Sequence, residues 1–351
     1  MPEAGNETVT VGVIANPASG RDIRRLISGA SVFDNGEKGN MIYRFMVGLG
    51  AVGVGRVLMM PAASGLYDSL ERTLRAAHRS SVEEERPMPE LELVEMTVRH
   101  TVRDTIDALA EMGRRGVAAV VVLGGDGTSR VVARHCSAET PLCTLSTGTN
   151  NAFPEMREAT VAGIATGLVA TGRIGEEALR REKILRVDVN GEENKDCALV
   201  DVAVNSERFV GARALWRPRN ISEIVVSSAL PDAVGLSSIA GLLEPTGRDA
   251  PHGLHVRLVP PERAPTVLTV PLAPGLVVPV GVEEVSRVEP EETVALAPGV
   301  GSVALDGERE IEVGPSDRVE VRLDPAGPLT IDVGEAMRQA ARHGLLNGAL
   351  A

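Results

Sequence analysis

Apolar runs alternate with helix-like patterns along the first half of the chain. The run at 117–123 is apolar throughout, which is typical of a strand buried on both faces of a sheet. The stretch at 102–113 instead places its apolar residues at helical spacing. Further strands are predicted at 9–15, 52–60, 91–98 and 142–145, and further helices at 22–28, 69–79 and from residue 128 onward. This alternation predicts a parallel sheet covered by helices.

The pattern changes after about residue 180 to short apolar runs that Pro and Gly separate closely. Such runs predict a mostly antiparallel domain. The predicted strands lie at 184–189, 198–204, 224–229, 255–259, 266–270, 277–280, 294–296, 302–305 and 319–323, with short helices at 237–242 and before 184 and a terminal helix at 333–349. We therefore predict an α/β fold with a Rossmann-like parallel domain at 1–155 and a β-rich substrate domain at 156–330. The C-terminal helix, within 331–351, is expected to pack back on the first domain.

Composition and charge exclude several classes of function. The 351 residues carry a formal net charge of −12 and only 2% aromatic side chains, so the chain lacks the basic faces and stacking platforms of nucleic-acid-binding proteins. Three scattered cysteines form neither a disulfide framework nor a zinc motif and favour a reducing compartment. No signal-peptide pattern or membrane-length apolar run is present. We expect a cytoplasmic protein with no nucleic-acid or membrane partner.

The strongest chemical signal directly follows the apolar strand at 117–123. It is a five-residue loop before a predicted helix: Gly124, Gly125, Asp126, Gly127 and Thr128. Glycines let a ligand approach the backbone closely, and successive amides at a helix start bind anions. Ligands of open parallel sheets bind at this edge. A plain Asp-Gly turn is the alternative, but the strand and helix on either side favour a phosphate-binding loop.

Two further loops follow predicted strands. The first, at 16–20, contains Asn16, Ser19 and Gly20, and the second, at 146–151, contains Thr147, Gly148, Thr149, Asn150 and Asn151. Their hydroxyl and amide groups are suited to ribose hydroxyls and phosphate oxygens, or to capping a helix, and both roles are compatible. The chain contains no Walker loop, and the first strand lacks the Gly-x-Gly-x-x-Gly fingerprint of ordinary Rossmann domains.

These loops together resemble a known superfamily. Gly-Gly-Asp-Gly-Thr followed by Gly-Thr-x-Asn is shared by NAD kinases, diacylglycerol kinases and sphingosine kinases, and the opening Asn-Pro-x-Ser-Gly is also similar. Within the superfamily, the segments 15–26, 146–154 and 198–216 look most like the acetoin catabolism protein X (AcoX) family, which is ATP-NAD kinase-like. The resemblance covers nearly the whole chain and includes the Asp-Gly-Glu turn at 306–308.

The resemblance implies an NAD kinase-like fold that transfers a phosphoryl group from ATP, with Mg²⁺, to a hydroxyl of NAD or a related metabolite. By analogy, Asp126 lies beside the acceptor hydroxyl, as a base or as an orienting acceptor. The three loops and Asn205 of the second domain are the implied nucleotide contacts, and no metal ligands are assigned. A homodimer or tetramer is expected.

Two departures from the NAD kinase pattern leave the acceptor open. Ser206 follows Asn205 where Glu is expected, and the Ser-Thr-Ala-Tyr element is missing from 227–245. Glu207 either replaces the missing carboxylate or is a solvated charge. The roles of three nearby side chains, as ligands of a phosphate or base or as strand surface, also stay open: Arg213, Trp216 and Arg217. A small-molecule kinase, a nucleotide-binding accessory or regulatory protein of acetoin catabolism, and a lipid or polyol kinase remain as alternatives.

Overall fold

A seven-stranded sheet forms the first layer of the protein. The computed structural model describes residues 8–17, 34–62, 65–80, 87–147, 151–207, 215 and 217–347. The strands are β1 (Thr10–Ala15), β2 (Arg56–Met59), β3 (Glu90–Leu93), β4 (Ala119–Gly124), β5 (Leu142–Ser146), β6 (Leu179–Arg181) and β18 (Leu329–Ile331), in the order β3-β2-β1-β4-β5-β18-β6. Strands β1 to β5 and β18 run parallel, and β6 is antiparallel to β18. The predicted parallel α/β architecture is confirmed.

Helices cover this sheet, and most of them were predicted. They are α1 (Asn35–Gly50), α2 (Leu66–Ser80), α3 (Val102–Arg114), α4 (Asp126–His135), α5 (Ala159–Ala170) and α7 (Val333–Arg342), while α6 (Ser237–Gly241) belongs to the second domain. The patterns at 69–79 and 102–113 correspond to α2 and α3. The helix predicted at 22–28 lies outside the described residues. Sequence patterns did not predict α1, and they gave α5 only as a short helix before residue 184, without bounds.

Glycines explain why α1 was missed and why α5 was predicted without bounds. A Cβ at Gly48 would lie 2.3 Å from the carbonyl oxygen of Thr160, and one at Gly163 would lie 2.3 Å from that of Phe45. The two helix backbones are therefore in direct contact, which requires residues that otherwise weaken a helix. α5 is also apolar on all sides because α1, α7 and the sheet surround it, so it shows no amphipathic period.

The second domain consists of two antiparallel sheets, as predicted. One has the order β12-β13-β11-β10-β9-β15-β16 and the other β14-β17-β7-β8. The strands are β7 (Ile184–Val189), β8 (Glu192–Ala198), β9 (Asp201–Asn205), β10 (Ile221–Val226), β11 (Gly253–Val259), β12 (Thr266–Ala273), β13 (Leu276–Val288), β14 (Thr293–Leu296), β15 (Gly301–Leu305), β16 (Glu308–Val313) and β17 (Val319–Asp324). Apolar side chains from both sheets meet in one core, and α6 covers the opposite face of the larger sheet.

The chain returns to the first sheet after the second domain. β18 pairs with β5, and α7 packs on α5 through Ala336 and Ala340, which are fully buried. The loops at the carboxyl ends of β4 and β5 face the second domain. None of the helices in the described part of the chain is long and apolar enough to cross a membrane.

Candidate active site

Asp126 is the first residue of α4, and only Gly125 separates it from the fully buried strand β4. Its side chain is largely buried, with 8% of the residue exposed. The amide of Ala152 donates to both carboxylate oxygens at 3.1 Å, and the amide of Phe153 donates to Oδ1 at 2.8 Å. The end of the second loop therefore fixes the orientation of the carboxylate.

The three glycines of the loop at 124–128 have different roles. A Cβ at Gly124 would lie 2.6 Å from Cβ of Thr128, and one at Gly125 would lie 2.8 Å from Oδ1 of Asn151. These two glycines let the loops pack against each other. Among the described residues outside its own helical turn, a Cβ at Gly127 would instead have only Glu308 Oε2 within 4 Å, at 3.9 Å. The backbone at Gly127 is thus open to the close approach of a ligand.

The described parts of the three predicted loops meet at this edge of the sheet. Asn16 donates from Nδ2 to Thr128 Oγ1 at 3.0 Å, and the amide of Thr147 donates to the carbonyl of Gly124 at 3.0 Å. Asn151 donates from Nδ2 to the hydroxyl of Ser146 at 2.7 Å. The remaining predicted contacts of these loops lie outside the described residues: Ser19, Gly20, Gly148, Thr149 and Asn150.

A buried lysine that sequence reasoning missed supports the first loop. Lys38, in the first turn of α1, is 1% exposed and donates from Nζ to the carbonyl of Asn16 at 3.0 Å. A single lysine in a polar segment gives no sequence signal for this position. The contact places a cation directly beside the predicted phosphate-binding edge.

A narrow cleft lies between this edge and the second domain. Three aspartates line it: Asp126 from the first domain, Asp201 from the start of β9 and Asp306 from the turn between β15 and β16. Apolar side chains also line the cleft: Leu215, Val234, Leu236 and Leu272. The residues that bear acid groups here come from three distant parts of the chain.

Asp306 is held in a tight two-residue hairpin turn, where it and Gly307 have φ values of 51° and 75°. Its carboxylate accepts from the amides of Leu199 at 3.0 Å and Val200 at 2.8 Å, and 1% of its side chain is exposed. Burial raises the pKa of Asp306 well above its usual value. Arg130 opposes that rise, while Asp126 and Asp201 add to it.

Arg130 supplies the positive charge of this cluster from the next turn of α4. Its Nε lies 3.8 Å from Asp306 and its Nη1 lies 3.5 Å from Asp196, both in the second domain. The carboxylate of Asp201 accepts from the amide of Gly307 at 3.1 Å. Within the described ranges, no group of three or more His, Cys, Asp and Glu side chains has the geometry to hold a metal ion.

Comparisons with known proteins agree with this architecture. Residues 11–174 match the model of the ATP-NAD kinase N-terminal domain, and residues 183–326 match that of the acetoin catabolism protein X C-terminal domain. The acetoin catabolism protein X of Cupriavidus necator is 46% identical over 340 residues, which cover 96% of this chain and 93% of that protein. The chain belongs to the acetoin catabolism protein X family. A crystal structure of an NAD kinase from Archaeoglobus fulgidus in complex with ATP is also similar, at 13% identity and a TM-score of 0.37, with coverage of 84% of this chain and 99% of that one.

In this AcoX family member, Asn205 is not among the described residues that line the cleft with Asp126. It ends β9, four residues after Asp201, which is about 13 Å along an extended strand. Its Nδ2 lies 3.5 Å from the hydroxyl of Ser302 and from the carbonyl of Glu207. The carboxylate that β9 contributes to the cleft is that of Asp201, a charged residue at the start of a buried strand. That position is a sequence signal for a site.

Glu207 and Arg217 also lie at the Asn205 end of β9. Glu207 accepts from Asn220 Nδ2 at 2.6 Å and lies 3.5 Å from Nη1 of Arg217. The other two side chains whose roles were open, Arg213 and Trp216, lie outside the described residues.

Proposed function

We propose that this AcoX family member is an ATP-dependent kinase that transfers a phosphoryl group to a hydroxyl of NAD or a related metabolite. One observation carries the proposal. Asp126 is fixed by two backbone amides at a cleft where the predicted phosphate-binding loops face a second acid-bearing domain. Catalysis of phosphoryl transfer depends mainly on positioning and electrostatic stabilisation, which such a rigid arrangement supplies.

The nucleotide phosphates would bind at the start of α4. The open backbone at Gly127 and the positive end of the helix suit an anion, and the buried Lys38 adds positive charge close to that edge. The amide and hydroxyl groups of Asn16, Thr128 and the loop at 147–151 would complete the contacts. A magnesium ion bound with the phosphates would neutralise charge on the transferred group.

Asp126 would hold the acceptor hydroxyl in line with the phosphate and accept its proton during transfer. Asp201, on the opposite side of the cleft, would bind a second hydroxyl of the acceptor. The ionisable side chains among the described residues that line the cleft are those of the three aspartates, and burial raises the pKa of Asp306. The carboxylates of Asp126 and Asp201 favour a neutral or cationic acceptor, such as the nicotinamide nucleoside end of oxidised NAD, over an anionic one.

The test is a screen of the purified protein with ATP and Mg²⁺ against oxidised NAD, NADH, neutral polyols and hydroxyketones. We expect one of these to be phosphorylated, and Asp126→Asn to lower kcat by about 100-fold or more while nucleotide binding is retained. Asp107→Asn is the matched control, because Asp107, on α3, has 42% of its side chain exposed and pairs with Arg99. Nucleotide binding without any phosphorylated product would favour an accessory or regulatory protein, and unchanged activity of Asp126→Asn would refute its role.

We further propose that the protein is a cytoplasmic homodimer or tetramer. Val267 and Val277, on the hairpin of β12 and β13, are 50% and 61% exposed, and contact between copies of the chain would remove this apolar surface from water. Light scattering on the purified protein should give a mass of two or four chains, and a monomer at micromolar concentration would contradict this expectation.

A further inference from the structure

Arg248 reaches from the second domain to the backbone that holds Asp126. It lies in the loop between α6 and β11, and 15% of its side chain is exposed. Its Nη2 donates to the carbonyl oxygen of Ala152 at 3.0 Å and to that of Phe153. Its guanidinium carbon lies 4.9 Å from the centre of the Phe153 ring. One arginine therefore contacts the carbonyl groups of the same two residues whose amides contact Asp126.

The contacts of Arg248 and Asp126 meet on a single peptide group. The carbonyl of Ala152, which Arg248 binds, and the amide of Phe153, which donates to Asp126 at 2.8 Å, belong to the same planar unit. The peptide dipole lies between a cation at its oxygen and an anion at its hydrogen. Each hydrogen bond polarises the unit in the direction that strengthens the other.

We propose that Arg248 is a positioning residue for Asp126, acting through the peptide group between Ala152 and Phe153. Because the peptide is rigid, a shift of its carbonyl also moves the amide that orients the carboxylate. The orientation of Asp126 in the first domain therefore depends on a loop of the second domain. The kinetic consequence rests on the proposed kinase function, whereas the structural link does not.

The segment that joins β6 to β7 holds Arg248 in place. Glu182, which is 2% exposed, lies 3.4 Å from Nη1 of Arg248 and accepts from the hydroxyl of Thr330 at 2.7 Å. Lys183 donates to the carbonyl of His252 at 2.7 Å and so ties down the loop that carries Arg248. The two residues immediately before β7 thus orient the guanidinium and hold the loop that carries it.

Hydrogen exchange measures the structural link without any assay of activity. In Arg248→Met, we expect the amides of Ala152 and Phe153 to exchange at least about tenfold faster, because their hydrogen bonds to Asp126 open more often. Arg248→Met leaves Glu182 buried without this partner, so the double variant Glu182→Gln/Arg248→Met is measured as well. Arg287→Met is the control, since Arg287 is 60% exposed and pairs with Glu244.

Kinetics measure the functional consequence. We expect kcat of the double variant to fall by about 10- to 100-fold, since a displacement of a catalytic group by about 1 Å has effects of this size. The KM for ATP should change by less than about twofold. Arg248→Lys should restore part of kcat because it keeps the charge. A purely structural role would instead lower the amount of folded protein and leave kcat per folded molecule unchanged.

The two measurements separate failure of the inference from failure of the proposed function. If the unmodified protein phosphorylates no acceptor, the kinase proposal fails, and exchange at Ala152 and Phe153 still decides whether Arg248 holds this peptide. If the unmodified protein is active and the double variant keeps its kcat, the positioning role of Arg248 is overturned, whatever its exchange. Unchanged exchange at Ala152 and Phe153 in Arg248→Met and in the double variant overturns the structural link itself.

Discussion

Lys183 should make the stability of the protein rise with pH in the alkaline range. Its side chain is buried, with 7% of the residue exposed, and desolvation lowers its pKa from 10.5 to about 8. Between these two values the folded protein has released a proton that the unfolded chain still binds. Unfolding then takes up a proton, so raising the pH favours the folded state. For a shift of this size, the gain from Lys183 between pH 7 and pH 10 is about 2.5 kcal/mol.

The measurement is the free energy of unfolding in urea at pH 7, 8, 9 and 10 for the unmodified protein and Lys183→Met. Other groups titrate in this range, so the informative quantity is the difference between the two proteins. That difference should change in favour of the unmodified protein by about 2.5 kcal/mol as pH rises. Lys195→Met, which removes a lysine that is 47% exposed and paired with Glu192, should show no such change. A difference that stays constant from pH 7 to 10 would refute the reasoning.

Two further predictions concern the helix contact and the buried aspartate. Gly48→Val should lower the free energy of unfolding in urea by about 3 kcal/mol or more, because the new side chain would displace the backbone of α5 at Thr160. A decrease below about 1 kcal/mol would show that the helices separate easily. Because the pKa of Asp306 is raised, the folded state keeps a proton that the unfolded chain releases. The free energy of unfolding therefore falls as pH rises from about 4 towards the folded pKa. Asp306→Asn should remove this pH-dependent loss of stability. Parallel stability profiles of Asp306→Asn and the unmodified protein between pH 4 and 7 would contradict this assignment.

Local sequence patterns were sufficient to predict an element when that element simply buries one or both of its own faces. The strand predicted at 184–189 matches β7 exactly, and the helix predicted at 102–113 matches α3 to within one residue. The motif at 124–128 was recognised because a fully apolar strand precedes it and a helical pattern follows it. In the structure, its last three residues form the first turn of α4. In each case the residues that form the element also carry the signal for it.

Sequence patterns failed where contacts with other segments of the chain determine the structure. β8 contains Glu192 and several other charged residues, and an exposed strand that pairs at the margin of a sheet needs no apolar alternation. α1 and α5 depend on contacts between glycines and a facing backbone, and no window of sequence contains both sides of such a contact. Asp201, which lines the cleft, was not singled out, whereas Asn205 at the other end of β9 was taken from a motif and stays a prediction.

The candidate site is harder to predict than its parts, because the arrangement of its side chains depends on hydrogen bonds between segments that are far apart in sequence. Asp126 is oriented by amides 26 and 27 residues away, and those residues are bound through their carbonyls by Arg248, 95 residues further along. Asp306 reaches Leu199 across 107 residues. Every one of these contacts uses a backbone group on at least one side, and backbone groups carry no sequence signal. A motif can therefore identify Asp126, whereas the residues that fix its orientation become visible only once the two domains are placed together.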